Sequence, residues 1–140
     1  MRKIICNPLN MNAATTVDTS GREAGFGFGA RLAVPHAGFG DPAVVRFKDR
    51  YYVFGSMRGF WWSDDLCTWN PGPDGDLGMM PGAASDGCVI GDYLVQSASS
   101  RERSWFTRTK DPMHEKFEKC SDPGFDFWDP ALFRDDDGKV

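Results

Sequence analysis

Short apolar or alternating runs, bounded by Gly, Pro, Asn and Asp, recur along most of the 140-residue chain, and no stretch sustains a helical period. The chain reads as all-β. The clearest signal is Ala43-Val44-Val45-Arg46-Phe47 followed by Tyr51-Tyr52-Val53-Phe54-Gly55-Ser56, and the polar Lys48-Asp49-Arg50 between the two runs predicts a hairpin. A second copy follows, in which Gly87-Cys88-Val89-Ile90 leads through Gly91-Asp92 into Tyr93-Leu94-Val95-Gln96-Ser97. A third begins with a strand at Ala131-Leu132-Phe133-Arg134 and reaches its turn at Asp135-Asp136-Asp137-Gly138.

Aligning the lead-ins to these hairpins puts Asp41-Pro42, Ala84-Ser85 and Asp129-Pro130 in register, at offsets of 43 and 45 residues. The later halves match as well, since Phe60-Trp61-Trp62-Ser63-Asp64-Asp65-Leu66 lines up with Phe106-Thr107-Arg108-Thr109-Lys110-Asp111-Pro112. Each unit thus holds an inner hairpin, a third strand, an Asp-containing turn and an outer strand anchored near Trp69 or Phe117. Four strands in about 40 to 50 residues is the arithmetic of a β-propeller blade. The expected division is an N-terminal segment over 1–40, a first blade over 41–83, a second over 84–128 and the start of a third over 129–140. Val140 falls just past the third turn, and two blades and a piece of another cannot close a ring, so the sequence reads as truncated.

Residues 7–40 are less regular, with glycine-spaced aromatics that suggest loops crossing a surface. Gly25-Phe26-Gly27-Phe28-Gly29-Ala30 superficially resembles a phosphate-binding loop, but no strand leads into it and no βαβ pattern surrounds it.

Composition narrows the function. A formal charge of −4 with scattered basic residues gives no electrostatic footprint for nucleic acid. No apolar run approaches the roughly 18 residues a membrane-spanning helix needs, and the apolar start at Ile4-Ile5-Cys6 stops at Asn7-Pro8, short of a secretory core of about 7 residues. The expected location is the cytoplasm. Cys6, Cys67, Cys88 and Cys120 are far apart, with only His36 and His114 as nitrogen partners, so they read as reduced thiols and not as a zinc site.

In a propeller the innermost strands run beside the central axis, so equivalent positions of successive blades converge on one mouth. Asp41 and Asp129 share that position, and each precedes a proline, which is expected to hold it in an extended conformation. Two carboxylates at one mouth are what glycoside hydrolysis needs. Asp-Pro is also a common strand lead-in, as Asp111-Pro112 and Asp122-Pro123 show, and it is the shared register that favours the catalytic reading. Phe39, Trp62, Phe127 and Trp128 are the candidate aromatics for stacking on sugar faces, a role that competes with plain core packing for each of them.

These segments resemble glycoside hydrolase family 43, the five-bladed β-propeller glycosidases. The resemblance is carried by Asp41 to Tyr52, by Ser63-Asp64-Asp65-Leu66 with Trp69, and by Phe127 to Gly138, with Asn7-Pro8-Leu9-Asn10 similar to the start of some members. It departs at Ala84-Ser85-Asp86, where the family shows Ala-Pro-Asp, so this loop is expected to pack differently. The resemblance implies an inverting hydrolase of pentose or galactose-type sugars in plant polysaccharides. It further implies that Asp41 is the general base, and that Asp129 raises the pKa of a general acid and helps orient it. That acid is a Glu from a later blade, and no residue of this chain matches it. Base and acid in such a site stand roughly 6.5 to 9.5 Å apart, leaving room for water.

The alternative from another class is a non-catalytic carbohydrate-binding propeller, told apart by the presence of that Glu. A protein-interaction propeller lacks support, because the Gly-His and Trp-Asp signatures do not recur from repeat to repeat. Asp135-Asp136-Asp137-Gly138 has the wrong spacing for an EF-hand calcium loop and reads as a solvated turn. No cofactor is expected, although the family resemblance allows a structural calcium ion in a full-length protein. The oligomeric state is left open.

Overall fold

The computed structural model describes residues 41–56, 59–100 and 103–139, so Phe39, Cys6 and the aromatic-glycine segment lie outside the described residues. Eight strands form two four-stranded antiparallel sheets, and no helix occurs among the described residues. The first sheet contains β1 (Ala43–Phe47), β2 (Arg50–Phe54), β3 (Trp61–Ser63) and β4 (Asn70–Pro71), in that spatial order. The second repeats the arrangement with β5 (Ala83–Ile90), β6 (Tyr93–Ser99), β7 (Phe106–Thr109) and β8 (Glu118–Ser121).

Both inner hairpins close through two-residue turns. Phe47 pairs with Arg50 around Lys48-Asp49, and Ile90 pairs with Tyr93 around Gly91-Asp92. Arg50 therefore belongs to β2 and not to the turn. The first turn residue has positive φ in both, 54° at Lys48 and 57° at Gly91, as tight hairpins of this kind require. The third strands also end alike. Ser63 Oγ accepts the backbone N–H groups of Asp65 and Leu66, and Asp65 Oδ1 accepts those of Cys67 and Thr68. In the second sheet Thr109 Oγ1 accepts from Asp111 N, and Asp111 Oδ1 accepts from Met113 N. A hydroxyl that satisfies the first free donors and a carboxylate that satisfies the next is a turn built from its own side chains.

The two sheets meet along an aromatic seam. Phe47, Tyr52, Phe54 and Phe60 of the first sheet pack with Leu94 and Phe117 of the second. Phe60 lies 5.6 Å from the Tyr52 ring, 6.1 Å from Phe54 and 6.5 Å from Phe117, tilted or edge-on in each case. Edge-on rings place positive rims against negative faces, which adds specificity to the area buried. At Gly87 a Cβ would stand 3.0 Å from both the Phe54 ring and the Val95 carbonyl oxygen, so the bare glycine lets β5 settle against that ring. With β1 packed beside β5, the starts of the two inner strands are neighbours.

The third repeat differs from expectation. Residues 131–134 form no strand; Leu132 N instead donates to Asp86 Oδ2 at 2.6 Å, and the Asp135–Lys139 turn closes through Asp135 N to Lys139 O. A strand is defined by a ladder, and among the described residues no segment pairs with 131–134.

Candidate active site

Three lead-ins meet at one end of the paired inner strands. Asp41, Pro42, Ala43, Ala84, Ser85, Asp86, Asp129 and Pro130 line an open cleft of ≈ 300 Å³. Its floor comes from a β-bulge: between Ala83, opposite Ser99, and Asp86, opposite Ser97, β5 carries one residue more than β6. Such a bulge re-aims side chains at the rim of a sheet.

The conformation of the lead-ins departs from the proline argument. Asp41 and Asp129 are not extended; their φ values are 52° and 47°, and Ala84 at the equivalent place in the second sheet has 45°. The steric effect of a following proline is outweighed by hydrogen bonds to residues distant in the chain. Ser56 Oγ donates to Asp41 Oδ2 at 2.6 Å and accepts from Ala84 N at 2.9 Å. Ser99 Oγ accepts from Asp129 N at 2.5 Å and donates to Asp129 Oδ1 at 3.2 Å. A left-handed non-glycine residue costs on the order of 1–2 kcal/mol and persists where its surroundings hold it, commonly at functional sites.

The cleft holds three carboxylates with different commitments. Asp86 is engaged by backbone on both oxygens, accepting from Gly87 N at 2.7 Å and from Leu132 N at 2.6 Å. It therefore ties β5 to the third lead-in. Asp41 and Asp129 are exposed, and among the described residues Oδ1 of Asp41 and Oδ2 of Asp129 accept no hydrogen bond. These two oxygens have capacity left for water or substrate. Beneath the cleft Ser85 is buried, and its hydroxyl accepts from Gln96 Nε2 at 2.9 Å.

The aromatic candidates are distributed differently. Trp128 is 58% exposed next to Asp129. Phe127 stacks on Phe106 at 5.5 Å and meets Phe125 edge-on, outside the cleft lining. Trp62 is remote from the cleft on β3: its Nε1 donates to Pro71 O at 3.2 Å, and Arg50, itself paired with Asp64, lies 3.9 Å over its ring. Phe39 lies outside the described residues. Sequence reasoning passed over Ser56, Ser99, Asp86 and Gln96. The two serines were findable, because they stand 43 residues apart like the Asp41 and Ala84 lead-ins.

No family model matches the sequence, and no curated protein matches it. Solved structures do. A thermostable family-43 glycoside hydrolase is 25% identical with a TM-score of 0.53, covering 72% of this chain and 39% of its own. An endo-1,4-beta-xylanase from Bacteroides thetaiotaomicron is 22% identical with a TM-score of 0.55, over 71% of this chain and 40% of its own. A family-43 endo-arabinanase from Bacillus licheniformis is 20% identical with a TM-score of 0.51, over 71% and 44%. The chain thus spans about 40% of the length of the solved structures it matches. Its two four-stranded sheets, packed through their inner strands, have the fold of part of the family-43 glycoside hydrolase β-propeller.

Proposed function

We propose that this chain contributes the base side of an inverting glycoside hydrolase site acting on plant-type oligo- or polysaccharides of the arabinofuranoside, xyloside or galactoside class. Asp41 takes the proton of the attacking water through Oδ1, which accepts no hydrogen bond among the described residues. Asp129 stands as the second carboxylate, which disfavours ionisation of a nearby general acid by like-charge repulsion and keeps it ready to protonate the leaving oxygen. That acid is a Glu outside residues 1–140, and Trp128 offers its exposed ring to a sugar face.

The observation that carries this reading is the meeting of Asp41 and Asp129, from separate repeats, in one cleft, each with an oxygen that accepts no hydrogen bond among the described residues. In the complete propeller, Asp41→Ala is expected to lower turnover of an aryl glycoside by about 100- to 10,000-fold, the range typical of a lost general base. Unchanged turnover would remove Asp41 from the reaction. Sugar binding without turnover in the unsubstituted protein would mark a carbohydrate-binding propeller instead. The 140-residue chain by itself is expected to be inactive, and hydrolysis by it would place the acid within these residues.

A further inference from the structure

We infer that Ser56 is a positioning residue for the Asp41 carboxylate, a role that rests on the hydrolase reading and adds a residue to it. A hydroxyl carries one proton and two acceptor lone pairs. At Ser56 a lone pair receives the Ala84 N–H at 2.9 Å, so the proton is directed to Asp41 Oδ2 at 2.6 Å. The Ala84 amide is itself fixed, because Ala84 is buried in the β5 bulge with a φ of 45°. The orientation of the first carboxylate is thereby set from the neighbouring sheet.

The arrangement selects between the two oxygens of Asp41. Oδ2 is held by a short hydrogen bond to a carboxylate, among the stronger kinds available at an exposed site. Oδ1 of this cleft-lining residue accepts no hydrogen bond among the described residues, which leaves it to serve as the accepting oxygen of a base. Position explains why a serine does this. The pairing of Ala43 with Phe54 and of Val44 with Val53, continued two residues outward, sets Asp41 opposite Ser56. One repeat later Ser99 stands at the same place and holds the next lead-in, through Asp129 N and Asp129 Oδ1. The same hydroxyl device thus serves both carboxylates. The two uses differ, since Ser56 joins two lead-ins whereas both bonds of Ser99 go to one residue.

The test uses the complete propeller with Ser56→Ala, Ser56→Thr, Ser56→Cys and Asp41→Ala, assayed on an aryl glycoside and melted in parallel. Ser56→Ala is expected to lower kcat about tenfold with KM within about twofold, the signature of an interaction needed in the transition state more than in the ground state. Ser56→Thr, which keeps the hydroxyl, is expected to recover most of the rate. Ser56→Cys, which keeps bulk but donates weakly, is expected to resemble Ser56→Ala and covers the case in which the alanine variant does not fold. If Ser56→Ala or Ser56→Cys works at the unsubstituted rate, or if Ser56→Thr is as impaired as they are, the positioning role is overturned while an inactive Asp41→Ala leaves the hydrolase reading standing. An active Asp41→Ala overturns both.

Discussion

Gln96 is the side chain whose loss should be felt most widely. It is fully buried on β6, yet all its polar capacity is used. Oε1 accepts from Met80 N at 2.9 Å and from Thr107 Oγ1 at 2.8 Å. Nε2 has two protons for three acceptors, Met80 O at 3.1 Å, Ser85 Oγ at 2.9 Å and Ser97 O at 3.0 Å, so one N–H is shared. Gln96→Leu keeps much of the volume and orphans Met80 N, Met80 O and the Ser85 hydroxyl, whereas Thr107 retains a longer contact with the backbone oxygen of residue 96 at 3.4 Å. A buried polar group left without a partner costs about 1–3 kcal/mol, so three of them amount to about 3–6 kcal/mol after partial relaxation. That is a large share of the roughly 5–15 kcal/mol by which a domain is stable. Equilibrium urea unfolding, followed by tryptophan fluorescence, should show the midpoint falling by about 2 M for a typical slope of 1–3 kcal/mol/M. Pairing the change with Ser85→Ala should show a coupling of about 1 kcal/mol, because the two side chains share a bond. A Gln96→Leu protein within about 1 kcal/mol of the parent would refute the claim that this network holds Met80 and the cleft floor together.

Three further outcomes are expected. Gly91→Ala should cost about 1 kcal/mol in the same unfolding assay, since a Cβ there meets nothing within 4 Å and only the left-handed backbone at φ 57° opposes it; no loss would mean that the turn changes shape freely. Burial, assisted by the Asp86 carboxylate, pushes the Cys88 thiol up to about 11, so iodoacetamide at pH 8 should label exposed Cys67 and Cys120 while Cys88 reacts only on unfolding. Peptide mass analysis showing equal labelling of all three would contradict this. Lys119 at 2.6 Å, then Gly124 N and Arg103, hold the Asp122 carboxyl down at about 2, opposed in part by desolvation. Its folded pKa lies below the unfolded value of about 3.9, so this contribution is complete above roughly pH 4 and is lost as pH falls towards 2. Asp122→Asn should flatten the acid limb of a stability-against-pH curve in that window, and an unaltered limb would assign it to other carboxylates.

The repeat was legible because strand chemistry is local. Val44, Val45, Tyr51, Tyr52, Val53 and their counterparts from Cys88 to Val95 declare hairpins within a dozen residues, and the Ser63-Asp64-Asp65 and Thr109-Lys110-Asp111 turns are closed by their own side chains. The convergence of positions 41, 84 and 129 on one cleft agrees with the register read from the sequence. What was not legible depends on partners distant in the chain. Ser56 meets the amide of Ala84, and Leu132 gives its amide to Asp86, so neither the left-handed turn at Asp41 nor the missing strand at 131–134 follows from neighbouring residues. The proline rule failed at Asp41 and Asp129 for that reason. Gln96 carried a faint signal as an amide within an apolar strand, but its partners Met80 and Thr107 lie on other segments.

The segment from Gly72 to Gly82 that links the sheets is woven into them. Gly72 N donates to Phe60 O, Phe117 N donates to Leu77 O, and Met80 is buried against Gln96. A protease nick or an inserted sequence here would strip a strand edge and uncover the ring seam together, whereas the Asp135–Lys139 turn has no such stake. The mechanical unit is therefore a sheet together with its tether, and the four strands without that tether would lose Met80 from the interior.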